Sequence, residues 1–364
     1  MYIPGCTNVL FYLWCMSSTA VILMNLGSPD STEVKDVRKY LHEFLMDKRV
    51  IDYPYLFRKF LVDGIITRFR APKSAQAYRS VWWPEGSPLI VLTKKLQSAL
   101  QTELDYPVEV AMRYGNPSMQ SAYDKVASEN KDLEEVLLIP LYPHYAMSSY
   151  ETAVEYAKEV HRKRKYAFRI RVLQPYYQDP AYIGALADSI RPFLEEDFDH
   201  LQFSYHGVPV RHIRKGDITG SHCLRSEDCC WVHSDAHRFC YRHQVYATTR
   251  QVTQALGLSP DQYSVSFQSR LGRDEWISPY TAAELAALPA RGIKKLLVVC
   301  PAFVSDCLET LEEIAMEGKH IFMEAGGESF TAIPCMNTHP GWVRALAGWV
   351  KAAGHDDPRW RAGL

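Results

Sequence analysis

The chain has 364 residues, of which 47% are hydrophobic and 23% charged, and its formal net charge is -1. This length predicts two domains of ordinary size, and the composition is that of a globular protein rather than a disordered, collagen-like or repetitive one. Because 41 basic residues are balanced by 42 acidic ones, the sequence argues against a general nucleic-acid-binding protein.

The N-terminus contains an apolar stretch, VLFYLWCM, which no Lys or Arg precedes and no clear small-residue cleavage site follows. We therefore expect residues 1–15 to be a non-native or disordered extension and Met16 to be the natural start. A short membrane-surface anchor is the alternative, because the interrupted stretch is marginal against the roughly 20 apolar residues that span a bilayer.

Along the rest of the chain, continuous apolar runs alternate with helix-like patterns. This alternation is typical of parallel strands covered by helices on both faces, and it predicts an α/β fold of two similar doubly wound, Rossmann-like halves. The strand-like runs are AVILMNL, VEVAMRYG, EEVLLIPLYP, AFRIRVLQPY, LQFSYHG, YSVSFQS and KKLLVVCPAFV.

We expect an N-terminal domain over residues 16–160, a C-terminal domain over 161–339, and a helix within 340–364 that packs back on the first domain. Parallel sheets present their functional loops at the carboxyl ends of the strands. We therefore expect six such loops to converge on a cleft between the domains. No glycine-rich phosphate motif follows any strand, so nucleotide binding has no support from a motif. The six loops are GSPDS, MRYGNP, YPHYAMSSY, SYHGVP, FQSRLGRDEW and PAFVSDCLETLEE.

His206 follows the apolar run LQFSY and precedes Gly207, which predicts a position at the end of a strand. A neutral imidazole in a cleft accepts a proton near neutral pH. A buried histidine that bonds a backbone carbonyl is an equally good explanation, and the residues alone do not decide between the two.

Glu309 and Glu313 lie four residues apart in the helix-like segment FVSDCLETLEEIAMEG, which predicts that they share one helix face. Carboxylates in the first turns of a helix complement its dipole, and this is the simplest explanation. A line of carboxylates also suits a proton relay or a divalent cation with oxygen ligands.

The ordered set of strand-end motifs resembles the ferrochelatase family, and the similarity runs from about Ala20 to the C-terminal helix. Eight motifs in the same order make the resemblance specific. It implies a chelatase-type fold with an interdomain cleft and the insertion of ferrous iron into protoporphyrin IX to form protohaem. The motifs are NLGSPDS, LMDKRV, EGSPL, MRYGNPS, PLYPHYAMSS, SYHGVP, FQSRLGRDEWISPYT and PAFVSDCLETLEE.

The resemblance also implies roles for individual residues. His206 and Glu309 match the pair that binds the ferrous substrate ion and accepts the pyrrole protons, and Glu313 matches the next carboxylate of an acidic path. Cys307 departs from some family members, which have a histidine there, and this puts a metal route through that position in doubt. The residues implied to bind the porphyrin are Leu26, Arg49, Ser87, Arg113, Tyr114 and Tyr145.

A cysteine-rich segment, residues 220–243, follows His206 and looks like an insertion. It contains Cys223, Cys229, Cys230 and Cys240. Clustered thiols in a chain without a secretory signal most often bind metal. The segment resembles the insertion that binds a [2Fe-2S] cluster in several microbial ferrochelatases. Zinc and a segment without metal are the alternatives.

The expected partners are therefore a porphyrin and Fe²⁺, with no nucleic acid, and the expected location is the cytoplasm with an optional transient contact with a membrane surface. Insertion into coproporphyrin III, insertion of another metal, and a non-catalytic tetrapyrrole-binding protein are the competing functions. Oligomeric state is left open.

Overall fold

The computed structural model describes residues 18–270, 272, 274–354 and 357–363. The extension expected over residues 1–15 lies outside these ranges. The described residues form two sheets, and this confirms the predicted α/β fold. The strands are β1 Thr19–Ser28, β2 Val108–Gly115, β3 Glu135–Pro140, β4 Arg169–Leu173, β5 His200–His206, β6 Tyr263–Gln268, β7 Lys295–Val299, β8 Ser329–Ala332 and β9 Trp360–Ala362.

Helices cover the sheets and connect the strands. The α-helices are α1 Val34–Leu45, α2 Tyr55–Lys59, α3 Thr67–Val81, α4 Pro88–Gln101, α5 Met119–Glu129, α6 Thr152–Arg164, α7 Pro180–Ile190, α8 Val210–Gly216, α9 Tyr241–Leu256, α10 Thr281–Ala287, α11 Lys319–Glu324 and α12 Pro340–Lys351. Wider π-helical turns cover Phe60–Ile66, Met147–Glu151 and Glu309–Gly318, and tighter 3-10 turns cover Arg191–Glu195, Asp235–Arg238 and Leu288–Arg291. No helix in the described ranges is long and apolar enough to cross a membrane.

The two sheets repeat one strand order. The first has the order β2-β1-β3-β4-β9 and the second the order β6-β5-β7-β8. All pairings are parallel except that of β4 with β9, which is antiparallel and adds the chain end to an edge of the first sheet. The predicted similarity of the halves is visible in this repeat, whereas the antiparallel edge strand was not expected.

Both faces of each sheet are buried, which explains the continuous apolar runs. In β1, Val21 and Leu23 pack into one hydrophobic cluster, while Ala20 and Ile22 pack into a second cluster on the opposite face. Side chains alternate between the faces of a strand, so a strand covered on both sides must be apolar at every position. The sequence pattern therefore follows from the layering.

The last helix joins parts of the chain that are far apart in sequence. Helix α12 packs against α7 and α4, and its fully buried Trp342 lies against Tyr176 and Tyr182. The contact with α4 brings this helix next to the N-terminal part of the chain. The domain boundaries themselves remain a prediction.

Gly27, near the end of β1, permits a close approach of two strand ends. Its φ is +108°, and a Cβ atom there would lie 1.8 Å from the carbonyl oxygen of Tyr114 in β2. Only glycine tolerates this combination of positive φ and backbone contact. The glycine of the NLGS motif therefore sets the shape of the chain where β1 reaches the cleft.

Candidate active site

An open cleft lies at the carboxyl ends of strands from both sheets, with about 1140 Å³ of empty space when the solvent at its mouth is included. Its wall is formed by the end of β1, the end of β5 and the segment after β7, together with residues of α1, α3 and the loop after β3. Most of these side chains are apolar or aromatic. The lining includes Asn25, Leu26, Gly27, Ser28, Tyr40, Phe44, Tyr78, Val81, Ser87, Tyr142, His144, His206, Tyr241, Phe303, Cys307, Leu308 and Glu309.

His206 ends β5 and lines this cleft. Its Nδ1 lies 2.7 Å from the carbonyl oxygen of Gly207. A carbonyl only accepts hydrogen bonds, so in the neutral ring Nδ1 carries the proton and Nε2 carries the lone pair. The ring centres of Trp276 and Phe303 lie 6.4 and 6.3 Å from that of the imidazole. The arrangement leaves His206 with one oriented proton-accepting atom, Nε2.

Glu309 lines the same cleft at the start of the π-helical segment Glu309–Gly318. Such wide turns recur at functional sites. Burial raises the pKa values of Tyr40 and Tyr78 well above the usual range of tyrosine, and the nearby charge of Glu309 raises both further. Two neutral phenols therefore lie within electrostatic reach of the Glu309 carboxylate.

Glu313 lies behind Glu309 and does not belong to the cleft wall. Its carboxylate accepts hydrogen bonds from the backbone N–H of Ser269 at 2.6 Å and from the Ser269 hydroxyl at 2.5 Å. Burial raises the pKa of Glu313, the two bonds from Ser269 and the nearby His206 oppose the rise, and Glu309 adds to it. Glu313 therefore lies within electrostatic reach of both His206 and Glu309.

Two of the six residues expected to bind porphyrin, Leu26 and Ser87, line the cleft. Arg113 and Tyr114 do not, because both bind Asp47. The guanidinium of Arg113 pairs with that carboxylate and lies 4.2 Å from the centre of the Tyr114 ring, and the Tyr114 hydroxyl donates to Asp47 at 3.0 Å. Tyr114 is fully buried.

Arg49 and Tyr145 also lie away from the cleft wall, and they share one partner. Glu151 accepts from Arg49 Nε at 2.9 Å and from the Tyr145 hydroxyl at 2.5 Å. A porphyrin propionate that bound Arg49 would have to compete with this carboxylate. The porphyrin contacts expected for Arg49, Arg113, Tyr114 and Tyr145 thus remain predictions, with competing partners now identified.

Sequence reasoning missed the aromatic wall. Tyr40 and Tyr78 lie on the buried faces of α1 and α3, where their helical spacing looks like that of ordinary core residues. The Tyr40 hydroxyl donates a hydrogen bond to the carbonyl oxygen of Gly27 at 3.1 Å, so these two residues of the cleft wall are joined to each other. No local signal separates such a residue from a core tyrosine.

The cysteine-rich segment brings its four thiols together. Cys223, Cys229, Cys230 and Cys240 are all buried, and the thiols of Cys223 and Cys230 both hydrogen-bond to Cys240. These bonds lower the pKa of Cys240 and, together with burial, raise the pKa of the other two. Over the part of the chain that the structure describes, no group of three or more His, Cys, Asp or Glu side chains is arranged so that it could hold a metal ion.

Backbone and side-chain donors surround the sulfur atoms of this segment. The N–H of Leu224 lies 3.3 Å from Cys229 Sγ, the N–H of His243 lies 3.5 Å from Cys240 Sγ, and Arg242 Nη1 lies 3.4 Å from Cys230 Sγ. Donors of this kind stabilise negative charge on sulfur.

Comparison with known proteins gives one consistent family. A family model described as Ferrochelatase matches residues 18–353. The chain is 51% identical over 333 residues to the ferrochelatase of Ectopseudomonas mendocina (strain ymp), covering 91% of this chain and 97% of the relative. It is 50% identical over 341 residues to the ferrochelatase of Azotobacter vinelandii, covering 93% and 100%.

A solved structure shares the fold at low sequence identity. SirB from Bacillus subtilis with Fe3+ superposes with a TM-score of 0.50 at 10% identity, covering 93% of this chain and 96% of SirB. The predicted chelatase-type architecture is confirmed by this likeness.

Replacing Glu313 by Gln is expected to raise the free energy of unfolding at neutral pH. Burial raises the pKa of Glu313 in the folded state, so stability falls as the pH rises from the unfolded-state pKa through the folded-state pKa. The neutral amide avoids this cost. Urea denaturation at pH 4 and pH 8 should show a gain at pH 8 and almost none at pH 4. The control is Glu317→Gln, because Glu317 is exposed, and its free energy of unfolding should stay within about 0.5 kcal/mol of the wild-type value at both pH values. Equal gains for Glu313→Gln at the two pH values would contradict the interpretation.

Proposed function

The chain belongs to the ferrochelatase family, and we propose that His206 and Glu309 carry out the insertion of ferrous iron into protoporphyrin IX, which forms protohaem. The observation behind this assignment is that the two side chains, one from the end of β5 and one from the segment after β7, border one cleft whose other walls are largely apolar and aromatic. A flat, apolar macrocycle suits such walls, and the inner nitrogens of the ring need polar groups next to them.

The reaction exchanges two inner N–H protons of the porphyrin for one Fe²⁺ ion. His206 Nε2 carries a lone pair because Nδ1 donates to Gly207, so the ring accepts the two pyrrole protons in turn and passes on the first before it takes the second. Glu309 supplies oxygen atoms, which are suitable ligands for the incoming ferrous ion. Glu313, next to Glu309 and held by Ser269, is the next carboxylate along which a proton can leave the cleft.

The cleft must also help the ring to deform, because a flat macrocycle hides its nitrogen lone pairs. Binding energy from the walls is directed to this distortion when the walls fit the puckered ring better than the flat one. We assign this function to Tyr40, Tyr78 and Phe303, with Leu26 and Ser87 completing the contacts.

An anaerobic assay with Fe²⁺ and protoporphyrin IX tests this function. Wild-type protein should form the metalloporphyrin, and His206→Gln should lower kcat at least about 100-fold, the contribution expected of a general base. His200→Gln is the matched control, because His200 is buried at the opposite end of the same strand and bonds Ser264 at 2.7 Å away from the cleft. Wild-type turnover by His206→Gln would remove the assignment. A preference for coproporphyrin III or for another divalent metal would replace the substrate.

We further propose that the cysteine-rich segment binds a [2Fe-2S] cluster through Cys223, Cys229, Cys230 and Cys240. The chemistry of the residues supports this proposal, since four soft thiols are buried in one segment and N–H groups lie near three of the sulfur atoms. In the described residues the thiols of Cys223 and Cys230 bond that of Cys240, and the four do not surround a metal position, so cluster binding requires them to rearrange. When bound, such a cluster supplies a reversible one-electron centre and a cross-link within the segment.

Elemental analysis of protein purified without oxygen separates the cluster from the alternatives. The cluster predicts about two iron and two sulfide ions per chain, a visible absorption spectrum, and loss of both in Cys229→Ser. The matched control is Cys300→Ser, a buried cysteine outside the segment, which should keep the full iron and sulfide content. About one zinc per chain, or four thiols that react freely without metal, would contradict the cluster.

We also propose a cytoplasmic enzyme that contacts anionic membrane surfaces transiently. Helix α2, the π-helical turn after it and the start of α3 expose large apolar side chains, with Leu56 79%, Phe60 65% and Phe69 71% accessible. Arg68 and Lys73 are exposed on the same helical run. Apolar residues beside basic ones are typical of helices that lie in a membrane interface. The far end of α3 lines the cleft with Val81, so one helix connects this surface with the site.

Replacing both Phe60 and Phe69 by Ser should reduce binding to vesicles of anionic lipid by about tenfold or more, because apolar area is no longer buried in the interface. Co-sedimentation measures this binding, and zwitterionic vesicles should bind less in all cases. Met323→Ser removes an exposed apolar side chain from α11 instead and should bind like wild type. Equal binding by the double variant and the control would exclude this surface.

A further inference from the structure

One buried tyrosine links the cysteine-rich segment to the histidine at the end of β5. Tyr241 is the first residue of α9 and directly follows Cys240. Its hydroxyl donates to the backbone carbonyl oxygen of His206 at 2.8 Å. Tyr241 therefore contacts the backbone of His206, which is the proton acceptor in the proposed function.

The end of β5 needs this additional bond. Pairing of β5 with β6 extends to His206, whereas pairing with β7 ends at Phe203. The last three residues of β5 therefore lack a strand partner on one side, and backbone polar groups in such a position must find other partners. The Tyr241 hydroxyl supplies one at the last residue of the strand.

The position of Tyr241 is in turn fixed by the cysteine-rich segment. Cys240 caps α9 through its Sγ, which accepts from the N–H of His243, and its thiol bonds those of Cys223 and Cys230. The start of the segment is held by Asp217, whose carboxylate accepts from the N–H groups of His222 at 2.8 Å and of Cys223 at 2.7 Å.

We propose that Tyr241 is a positioning residue through which the order of the cysteine-rich segment controls the placement of His206. This inference rests on the proposed function of His206. A loosened segment releases Cys240, the start of α9 moves with it, and the carbonyl of His206 loses its donor. The imidazole, attached to that residue and bonded to the next carbonyl, then loses its fixed direction into the cleft.

Tyr241→Phe tests the bond itself, with Tyr150→Phe as the matched control. Tyr150 is also buried and donates to a strand-end carbonyl, that of Leu173 at 2.8 Å, but it does not line the cleft. Tyr241→Phe should lower kcat about tenfold at unchanged KM for the porphyrin, the cost of about one hydrogen bond expressed in the transition state. Its peptide 203–208 should exchange amide hydrogens faster than in wild type. A kcat and an exchange rate equal to those of Tyr150→Phe would overturn the proposal.

Asp217→Asn tests the coupling from the other end. It weakens the two backbone bonds at the start of the segment without touching a thiol or the cleft, and it should speed exchange in peptide 203–208 when Tyr241 is present. In the Tyr241→Phe background the same change should add nothing, since coupled sites are not additive. Additive effects would overturn the coupling. Absence of metalloporphyrin from the wild-type assay would instead remove the proposed function, while the exchange measurements would still decide whether the segment and the strand end are linked.

Discussion

Parallel strands of one sheet end at the same edge, and this constraint brings the chemistry of the protein together. The end of β1 contributes Gly27 to the cleft, the end of β5 contributes His206, and the segment after β7 contributes Glu309. None of these residues is near another in sequence. Because the two sheets repeat one strand order, two such edges can face a common space. The hydrogen bond from His206 to Gly207 then decides which ring nitrogen offers its lone pair to that space.

Local patterns in the sequence predicted the strands and the points where they end. Every residue of a doubly covered strand is apolar, so runs such as LQFSY indicated the buried parallel sheets, and the Gly turn after His206 indicated a strand end. The same reasoning could not reveal the acidic partners of Arg49 and Arg113, and the porphyrin contacts expected for these two residues stay predictions. Their acidic partners, Glu151 and Asp47, lie 102 and 66 residues away in the sequence, and no local pattern reports such a pairing.

Two other features required the fold. Tyr40 is spaced along α1 like the other buried residues of that helix, so the sequence makes it look like a core residue. Only the folded chain shows that its ring lines the cleft. The sequence predicts Glu309 and Glu313 on one face of an ordinary helix, whereas the chain forms a π-helical turn there, which no pattern in the sequence indicates. In the cysteine-rich segment, the thiols are visible in the sequence. The contacts of Cys223 and Cys230 with Cys240, and the hydrogen bond from Tyr241 to His206, are visible only in the folded chain.

The tautomer of His206 is the most direct test of this account, because proton acceptance by Nε2 depends on it. Nitrogen-15 NMR of histidine-labelled protein, with the His206 signals assigned by their loss in His206→Gln, reports which ring nitrogen is protonated. We predict a proton on Nδ1 and a lone pair on Nε2, as the bond to Gly207 requires. A neutral ring with its proton on Nε2 would contradict this assignment, since Nε2 would then be a donor and could not accept a pyrrole proton.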